Sequence, residues 1–326
     1  MGSGRPEAQG GLARARAPRG AVRARGKGRA QAALTTPPAH RGTISAWVDA
    51  VRLRHWPKNL LVFVVPFAAH DPGSATLIAA GLALLAFGLT ASAGYLLNDL
   101  LDRTGDASHP RKSARAIAAG AVSAGAARTA IAVLVAGALA IAALLPWKFA
   151  LCLGVYFAGV ALYSARLKHR KGWDVAALAC FYGLRVLAGG AATAIFVSPW
   201  LIAYALGLFG ALALAKRLGE LTAGAPGRPY GPADRKTLRA LGAIAALLSV
   251  AVLALYINAP DVHALYPNPS LLYVICLVQA LWLAWLLRLA DSARLPDDPV
   301  LFALRDPLSL AGAGLALVAF TMASLP

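Results

Sequence analysis

Long uncharged apolar runs are the feature of this sequence that most limits the folds it can adopt. One run, from Ala75 to Leu97, contains no charged residue, and its length is about what an α-helix needs to cross the hydrocarbon core of a bilayer. Since 59% of the residues are hydrophobic and only 14% are charged, such runs are typical of a polytopic membrane protein and not of a soluble globule. We therefore predict an all-α fold.

The sequence contains nine runs that are candidates for membrane-spanning helices. They lie at residues 58–70, 75–98, 128–147, 149–166, 174–196, 199–216, 238–258, 270–288 and 306–325. The first run is short and contains Pro66, so it is predicted to be a broken or tilted helix that begins further back in the chain. The prediction is a bundle of about nine transmembrane helices with an active-site pocket on its cytoplasmic side.

The basic residues predict how these spans are oriented. If the N-terminus is cytoplasmic, only Lys148 of the 32 Lys and Arg residues lies in an outer loop, and only Arg185 lies well inside a span. Because cytoplasmic loops of membrane proteins are enriched in Lys and Arg, this distribution favours both the orientation and the number of spans. We predict an integral protein of a bacterial-type inner (plasma) membrane, with its N-terminus and active site cytoplasmic.

The N-terminal segment 1–43 differs from the rest of the chain. Its first 41 residues carry eight Arg and one Lys but only one acid, Glu7, among Gly, Ala and Pro. A segment of this composition cannot bury a core. We predict a disordered basic cytoplasmic tail at 1–43, attracted to anionic membrane lipid and not to nucleic acid, and a transmembrane domain at 44–326.

Three carboxylates follow the second span at helical spacing. Asp99, Asp102 and Asp106 lie on one face if that helix continues past the membrane surface. Like charges so placed repel each other unless a cation lies between them, and Mg²⁺ prefers a few carboxylates together with substrate phosphate oxygens. We predict that these three residues are catalytic and bind Mg²⁺. The alternative is a solvated helix end with three incidental acids.

Polar residues on the same predicted side of the membrane extend this candidate site. The predicted substrate-binding residues are Lys58, Asn98, Arg111, Lys112, Arg115, Lys168, Asp174, Arg185, Lys216 and Arg217. Arg and Lys donate charge-assisted hydrogen bonds to phosphate, although any single one of them is alternatively a cytoplasmic anchor. Arg185 differs because an Arg inside a span usually faces the protein interior. It is predicted to line the pocket or, alternatively, to pair with Asp174 or another buried acid.

Four stretches of the chain, in order, are similar to one known family. They are RLRHWPKNLLVF at 52–63, YLLNDLLDRTGDASHPRKSARAIAAG at 95–120, YSARLKHRKGWDVAALACFYGLRVLAGGAA at 163–192 and LALAKRLGEL at 212–221. Together they resemble the UbiA superfamily of intramembrane prenyltransferases, over roughly residues 44–325. Within it, the K-H-x4-D-V and K-R-x-x-E-L segments look most like the branch that contains decaprenyl-phosphate phosphoribosyltransferase.

The resemblance implies a reaction and its partners. It implies Mg²⁺-dependent transfer of 5-phosphoribose from phosphoribosyl diphosphate to a polyprenyl (decaprenyl) phosphate, which feeds lipid-linked arabinose synthesis for the cell envelope. The expected partners are that lipid, a donor that bears a diphosphate, and membrane lipids, with no nucleic acid and with oligomer formation left open.

Two other classes of function remain open. An aromatic prenyltransferase would transfer a prenyl chain from a prenyl diphosphate to a 4-hydroxybenzoate-like or quinone-precursor acceptor, and it has less use for the dense Lys and Arg residues at 111–115 and 166–171. A transporter or assembly scaffold predicts polar residues at the middle of several spans, where the sequence has Arg185 alone. The pattern therefore favours an enzyme.

Overall fold

The architecture is all-α. The computed structural model describes residues 1–2, 43–71, 73–108, 112–225, 227–296 and 298–325, and the chain divides into a unit Met1–Gly42 and a unit Thr43–Pro326. The predicted tail at 1–43 lies outside the described residues, apart from its two ends. The described part of the second unit contains only helices and the turns and loops that join them.

In the described part of the second unit, eight helices are long and apolar enough to cross a membrane. Numbered in chain order among all α-helices of the unit, they are α3 (Ser74–Leu101), α5 (Ala124–Ala142), α6 (Trp147–Ala165), α7 (Trp173–Thr193), α8 (Pro199–Thr222), α9 (Arg235–Ile257), α11 (Tyr273–Asp291) and α13 (Pro307–Ser324). The shorter α-helices are α1 (Thr43–Val51), α2 (Val64–Ala68), α4 (Arg103–Ala107), α10 (Pro260–Leu265) and α12 (Pro299–Ala303). The eight long helices overlap eight of the nine predicted runs.

The first predicted run belongs to a broken helical segment. Helix α1 is followed by Arg52, which has a left-handed backbone conformation (φ 52°), and then by a 3-10 helix, Leu53–Phe63, and by α2. Pro57 lies inside the 3-10 helix, and proline cannot donate the backbone hydrogen bond that an α-helix interior requires. The prediction of a broken helix that begins further back is confirmed, although this segment is not one of the eight described helices that are long enough to cross a membrane.

Two glycines bring the 3-10 helix into close contact with α3 and α7. A Cβ atom at Gly189 of α7 would lie 2.1 Å from the carbonyl oxygen of Val62, and one at Gly88 of α3 would lie 2.9 Å from the indole ring of Trp56. Only a residue without a side chain permits such a close approach. Lys58 of the 3-10 helix is buried as a result.

Two apolar clusters hold the bundle together, and α7 contributes to both. One cluster joins α7, α8, α9 and α11, and the other joins α3, α5, α6 and α7 with the 3-10 helix. Many large apolar side chains instead face outward, among them Leu85, Leu247, Leu281 and Leu317. An exposed apolar surface of this extent needs lipid around it, so the protein is an integral membrane protein.

Candidate active site

The carboxylates at the end of α3 are held by arginines. Asp99 lies on the last turn of α3 and Asp106 lies on α4, and both are buried. Nη1 of Arg115 is 2.6 Å from Oδ2 of Asp106 and 3.2 Å from Oδ1 of Asp99. Nη2 of Arg52 is 2.6 Å from the same Oδ1. One guanidinium nitrogen therefore joins two of the three predicted metal ligands.

Asp102 joins this group through the loop between α6 and α7. Its Oδ1 accepts a hydrogen bond from Nζ of Lys168, and its Oδ2 accepts one from Nδ2 of Asn98 at 3.2 Å. Lys168 is buried on a short 3-10 turn, Leu167–His169, so the loop reaches the end of α3. We name Asp99, Asp102 and Asp106, with Arg52, Arg115 and Lys168, the aspartate cluster.

The aspartate cluster fits a hard divalent cation in its chemistry. Asp99 and Asp106 already share one positively charged nitrogen of Arg115, and a few carboxylates completed by substrate phosphate oxygens are what Mg²⁺ takes from a protein. Within the part of the chain that the structure describes, no three acidic, His or Cys side chains are grouped as a metal site. To bind such an ion, Asp99 and Asp106 would have to give up their contacts with Arg115 and contact the ion instead.

A second polar group surrounds the 3-10 helix. Nζ of Lys58 pairs with Oδ2 of Asp298, and Oδ1 of Asp298 caps α12 by accepting hydrogen bonds from the N–H groups of Val300 and Leu301. Burial opposes the ionisation of Asp298, but the charges of Lys58 and Lys216 hold its pKa below its usual range. Asp298 is therefore an ionised acid among basic residues. We call Lys58, Lys216 and Asp298 the basic group around Lys58.

Two buried polar atoms beside this ion pair have no hydrogen-bond partner among the described residues. They are Nδ1 of His55 and Nδ2 of Asn59. Burial and the charge of Lys58 lower the pKa of His55 to about 3, so its ring is neutral near pH 7. Because buried polar groups in proteins are nearly always hydrogen-bonded, these two atoms mark a place suited to a polar ligand.

Arg185 lies inside α7 and is held by uncharged groups. Its Nε is 2.9 Å from Oδ1 of Asn59, its Nη1 is 2.7 Å from the carbonyl oxygen of Phe181, and its Nη2 is 2.8 Å from the hydroxyl group of Tyr156. Its guanidinium carbon also lies 4.7 Å from the ring centre of Tyr156, within the range of a cation–π interaction. The alternative in which Arg185 pairs with Asp174 is wrong, and its charge is not neutralised by that acid.

Asp174 instead forms a buried ion pair with Arg217 that joins the start of α7 to the end of α8. Nε of Arg217 is 2.5 Å from Oδ2 of Asp174, and both side chains have 0% exposure. Nη1 of Arg217 is 2.5 Å from Glu220, and Nη2 is 3.0 Å from the hydroxyl group of Tyr163. Tyr230 donates to Oδ1 of Asp174 at 2.6 Å, and burial together with this bond raises the pKa of Tyr230 to about 12. Every charged atom of the pair is thus bonded within the protein.

The remaining predicted residues occupy different places. Lys216 lies on α8, within electrostatic reach of Asp298. Nζ of Lys112 lies 3.9 Å from the position that a Cβ atom would take at Gly227, in the loop after α8. Arg111 lies outside the described residues.

Arg52, Asn59 and Asp298 are among the polar residues of the site that were not singled out from the sequence. Arg52 and Asn59 fall inside the stretch 52–63 that carries the family resemblance. Their position in that stretch could have identified them as candidate site residues. Asp298 precedes a proline at a helix start, a pattern that signals a helix cap and nothing more. Its pairing with Lys58 spans 240 positions, which no local pattern encodes.

The helical bundle has the fold of membrane proteins whose structures have been solved. The chain superposes on a UbiA homolog from Archaeoglobus fulgidus bound to GPP and Mg²⁺, with a TM-score of 0.64, over 86% of this chain and 100% of that one. The two sequences are 18% identical, so this likeness establishes the fold alone.

Sequence comparison identifies the family. Residues 59–305 match the UbiA prenyltransferase family, and the chain belongs to that family, as the four stretches predicted. It is 36% identical over 299 residues to the uncharacterized protein y4nM of Sinorhizobium fredii, a match that covers 89% of this chain and 58% of that protein. It is 37% identical over 195 residues to decaprenyl-phosphate phosphoribosyltransferase of Mycobacterium tuberculosis, a match that covers 58% of this chain and 63% of that enzyme. The chain thus spans less than two thirds of the length of either relative.

Proposed function

We propose that this transferase moves the 5-phosphoribose group of phosphoribosyl diphosphate to a polyprenyl phosphate such as decaprenyl phosphate, with Mg²⁺ as cofactor. The observation that carries the proposal is the number of buried cations: Lys58, Lys168 and Arg185 are all buried. A diphosphate donor together with a phosphate acceptor carries more negative charge than a prenyl diphosphate together with a 4-hydroxybenzoate-like acceptor, which has at most one carboxylate, so the first pair makes more use of these cations. The similarity to the mycobacterial enzyme supports the same reaction, whose product would feed lipid-linked arabinose synthesis for the cell envelope.

The aspartate cluster suits the departure of diphosphate. Its three carboxylates would hold Mg²⁺, which when bound supplies positive charge to the leaving diphosphate. Arg115 and Lys168, which neutralise those carboxylates, would change partners and donate hydrogen bonds to phosphate oxygens. Asn98 would keep Asp102 oriented through its hydrogen bond.

The proposed transfer needs no general base. The bond between C1 of the ribose and a diphosphate oxygen breaks, the diphosphate leaves with the electron pair, and an oxygen of the already anionic lipid phosphate forms the new bond to C1. Lys58, Arg185 and Lys216 would bind and orient the phosphates, so catalysis rests on positioning and electrostatic stabilisation. Phosphate binding by Arg111 and Lys112 stays a prediction.

The ion pair of Asp174 and Arg217 has a different proposed role. Because each charged atom of the pair is bonded inside the protein, the pair would act by fixing the ends of α7 and α8 around the site. Direct substrate binding by either residue stays a prediction.

An aromatic prenyltransferase is the second candidate. The Archaeoglobus homolog binds GPP, and stacked rings in the interior, such as Tyr182 and Phe209 at 4.7 Å between centroids, would suit an apolar ring acceptor. This reaction would use the aspartate cluster in the same way but would leave much of the basic group around Lys58 without a substrate partner.

One assay separates the two candidates. Membranes that contain the protein are incubated with labelled phosphoribosyl diphosphate and polyprenyl phosphate, and separately with a prenyl diphosphate and 4-hydroxybenzoate. Ribose label in a lipid-soluble product supports the proposed reaction. Product in the second incubation alone would assign the protein to the aromatic prenyltransferases.

We further propose that the site faces the cytoplasm from a bacterial-type inner (plasma) membrane. Ion pairs join the end of α3 to the turn before α7, and the start of α7 to the end of α8, so these helix ends share one side of the bundle. The loops on that side carry most of the Lys and Arg residues outside the tail, as cytoplasmic loops do.

Replacing Lys168 or Lys216 by Gln is expected to weaken donor binding or turnover about tenfold to a hundredfold. The reason is that a charge-assisted hydrogen bond in a partly desolvated site contributes about 1.5–3 kcal/mol. Arg128→Gln is the matched control, because Arg128 is an exposed cation at the start of α5 and is expected to act only as an anchor. If the three variants lose activity to a similar small extent at matched expression, neither lysine binds phosphate.

A further inference from the structure

A surface cavity of about 300 Å³ lies beside the turn that carries Lys168. It is lined by Leu162, Arg166, Leu167, Arg170 and Trp173. These residues belong to the end of α6, the loop after it and the first position of α7. Because α6 and α7 are both long and apolar enough to cross a membrane, a cavity at the end of α6 and the start of α7 would lie where lipid headgroups meet the protein. No residue of the aspartate cluster lines it.

The two arginines of this cavity carry charge that no described residue neutralises. Arg166 and Arg170 are exposed, and in the part of the chain that the structure describes neither guanidinium has an acidic or hydrogen-bonding partner. Neighbouring cations of the same loop differ in this respect, because Lys168 pairs with Asp102 and Lys171 pairs with Asp234. As far as the described residues go, the cavity therefore offers two guanidinium groups without a protein partner.

The loop thus presents different residues on its two sides. Lys168 is buried and contacts Asp102 of the aspartate cluster, whereas Arg166 and Arg170 line the cavity. Leu162 and Trp173 add large apolar surfaces that are exposed in the bundle. Two positive groups beside apolar surface at the membrane boundary complement a molecule with an anionic head and apolar chains.

We infer that this cavity binds the phosphate headgroup of an anionic phospholipid of the surrounding membrane, such as phosphatidylglycerol. The guanidinium groups of Arg166 and Arg170 match phosphate oxygens in geometry and charge, and Trp173 suits the boundary between headgroup and hydrocarbon. A zwitterionic lipid fits less well because its own cation competes for the phosphate. Bound lipid would brace the outer side of the loop whose inner side holds Lys168.

Lipid retention by the purified protein tests this inference. The protein in detergent is titrated with phosphatidylglycerol or phosphatidylcholine, and native mass spectrometry counts the bound lipid while the unfolding temperature is followed. Arg166→Gln/Arg170→Gln is expected to bind phosphatidylglycerol at least about tenfold more weakly, because two charge-assisted hydrogen bonds are lost. Arg128→Gln removes an exposed cation that does not line the cavity. This variant is expected to bind phosphatidylglycerol as tightly as the wild type.

Several results would overturn the inference. Unchanged retention in the double variant would do so, as would an equal loss in Arg128→Gln or equal binding of the two lipids by the wild type. If the double variant does not fold, lipid binding is measured with the single variants Arg166→Gln and Arg170→Gln instead. Unchanged binding of phosphatidylglycerol by both single variants would contradict the inference. Displacement of phosphatidylglycerol by polyprenyl phosphate, with a matching loss of turnover in the variants, would assign the cavity to the substrate instead. Because lipid binding is measured without turnover, the result does not depend on the proposed reaction.

Discussion

Substitution of Asp99, Asp102 or Asp106 by Asn is expected to lower turnover at least about a hundredfold, because removing one group that stabilises developing charge costs about that much. Asn keeps the shape of the side chain but loses the charge that a divalent ion requires. At positions 99 and 106 the variant also leaves Arg115 without one of its two carboxylates. The assay is the membrane transfer reaction at saturating Mg²⁺, and chelation of Mg²⁺ is expected to have the same effect on the wild type.

The control for this prediction is the same substitution at Asp291. Asp291 lies at the end of α11 and pairs with two exposed arginines, Arg235 and Arg239, outside the aspartate cluster. Asp291→Asn is expected to retain nearly full activity. Equal unfolding temperatures would show that the cluster variants remain folded in the membrane. Full activity of the chelated wild type would refute the metal-binding role.

Breaking the ion pair between Arg217 and Asp174 is expected to reduce the free energy of unfolding by about 3–5 kcal/mol, the usual cost of removing one partner of a buried pair. Arg217→Met would leave two buried or half-buried carboxylates, Asp174 and Glu220, without their shared cation. The loss would be measured by denaturant titration in detergent, followed by circular dichroism.

Two further variants test the origin of that loss. Arg235→Met removes a mainly exposed partner of Asp291 and is expected to cost less than about 1 kcal/mol. Asp174→Leu/Arg217→Met removes both charges and is expected to recover part of the stability. Recovery of stability without recovery of turnover would support a substrate-binding role for the pair. A loss in Arg217→Met no larger than that in Arg235→Met would contradict the structural role.

The spans were predictable because they depend on a single local property. An apolar run of bilayer length can satisfy its backbone hydrogen bonds only as a helix, so eight runs became eight helices whatever their neighbours. The segment 43–68 was harder to predict, because Pro57 and the left-handed Arg52 break its helical pattern. Its position depends instead on a distant glycine, Gly189, which admits the backbone of Val62.

The site was predictable where its residues are close in sequence. Asn98, Asp99 and Asp102 share a helix end, so their spacing indicated a common face. Partners from distant segments were not predictable. Arg185 could be placed in the interior from its position within a span. Its neutral partner Asn59 is 126 positions away in the sequence. The residues around Arg185 do not indicate whether so distant a partner is an amide or a carboxylate.

Arg115 is a counter-ion that the protein itself supplies to the aspartate cluster. One of its nitrogens contacts both Asp99 and Asp106, while Arg52 pairs with Asp99 and Lys168 pairs with Asp102, so the three acids and three bases of the aspartate cluster balance in charge. If these carboxylates held Mg²⁺, the guanidinium of Arg115 would be released from them and could donate hydrogen bonds to a phosphate oxygen instead. Arg115 would then couple the binding of the ion to the binding of the donor.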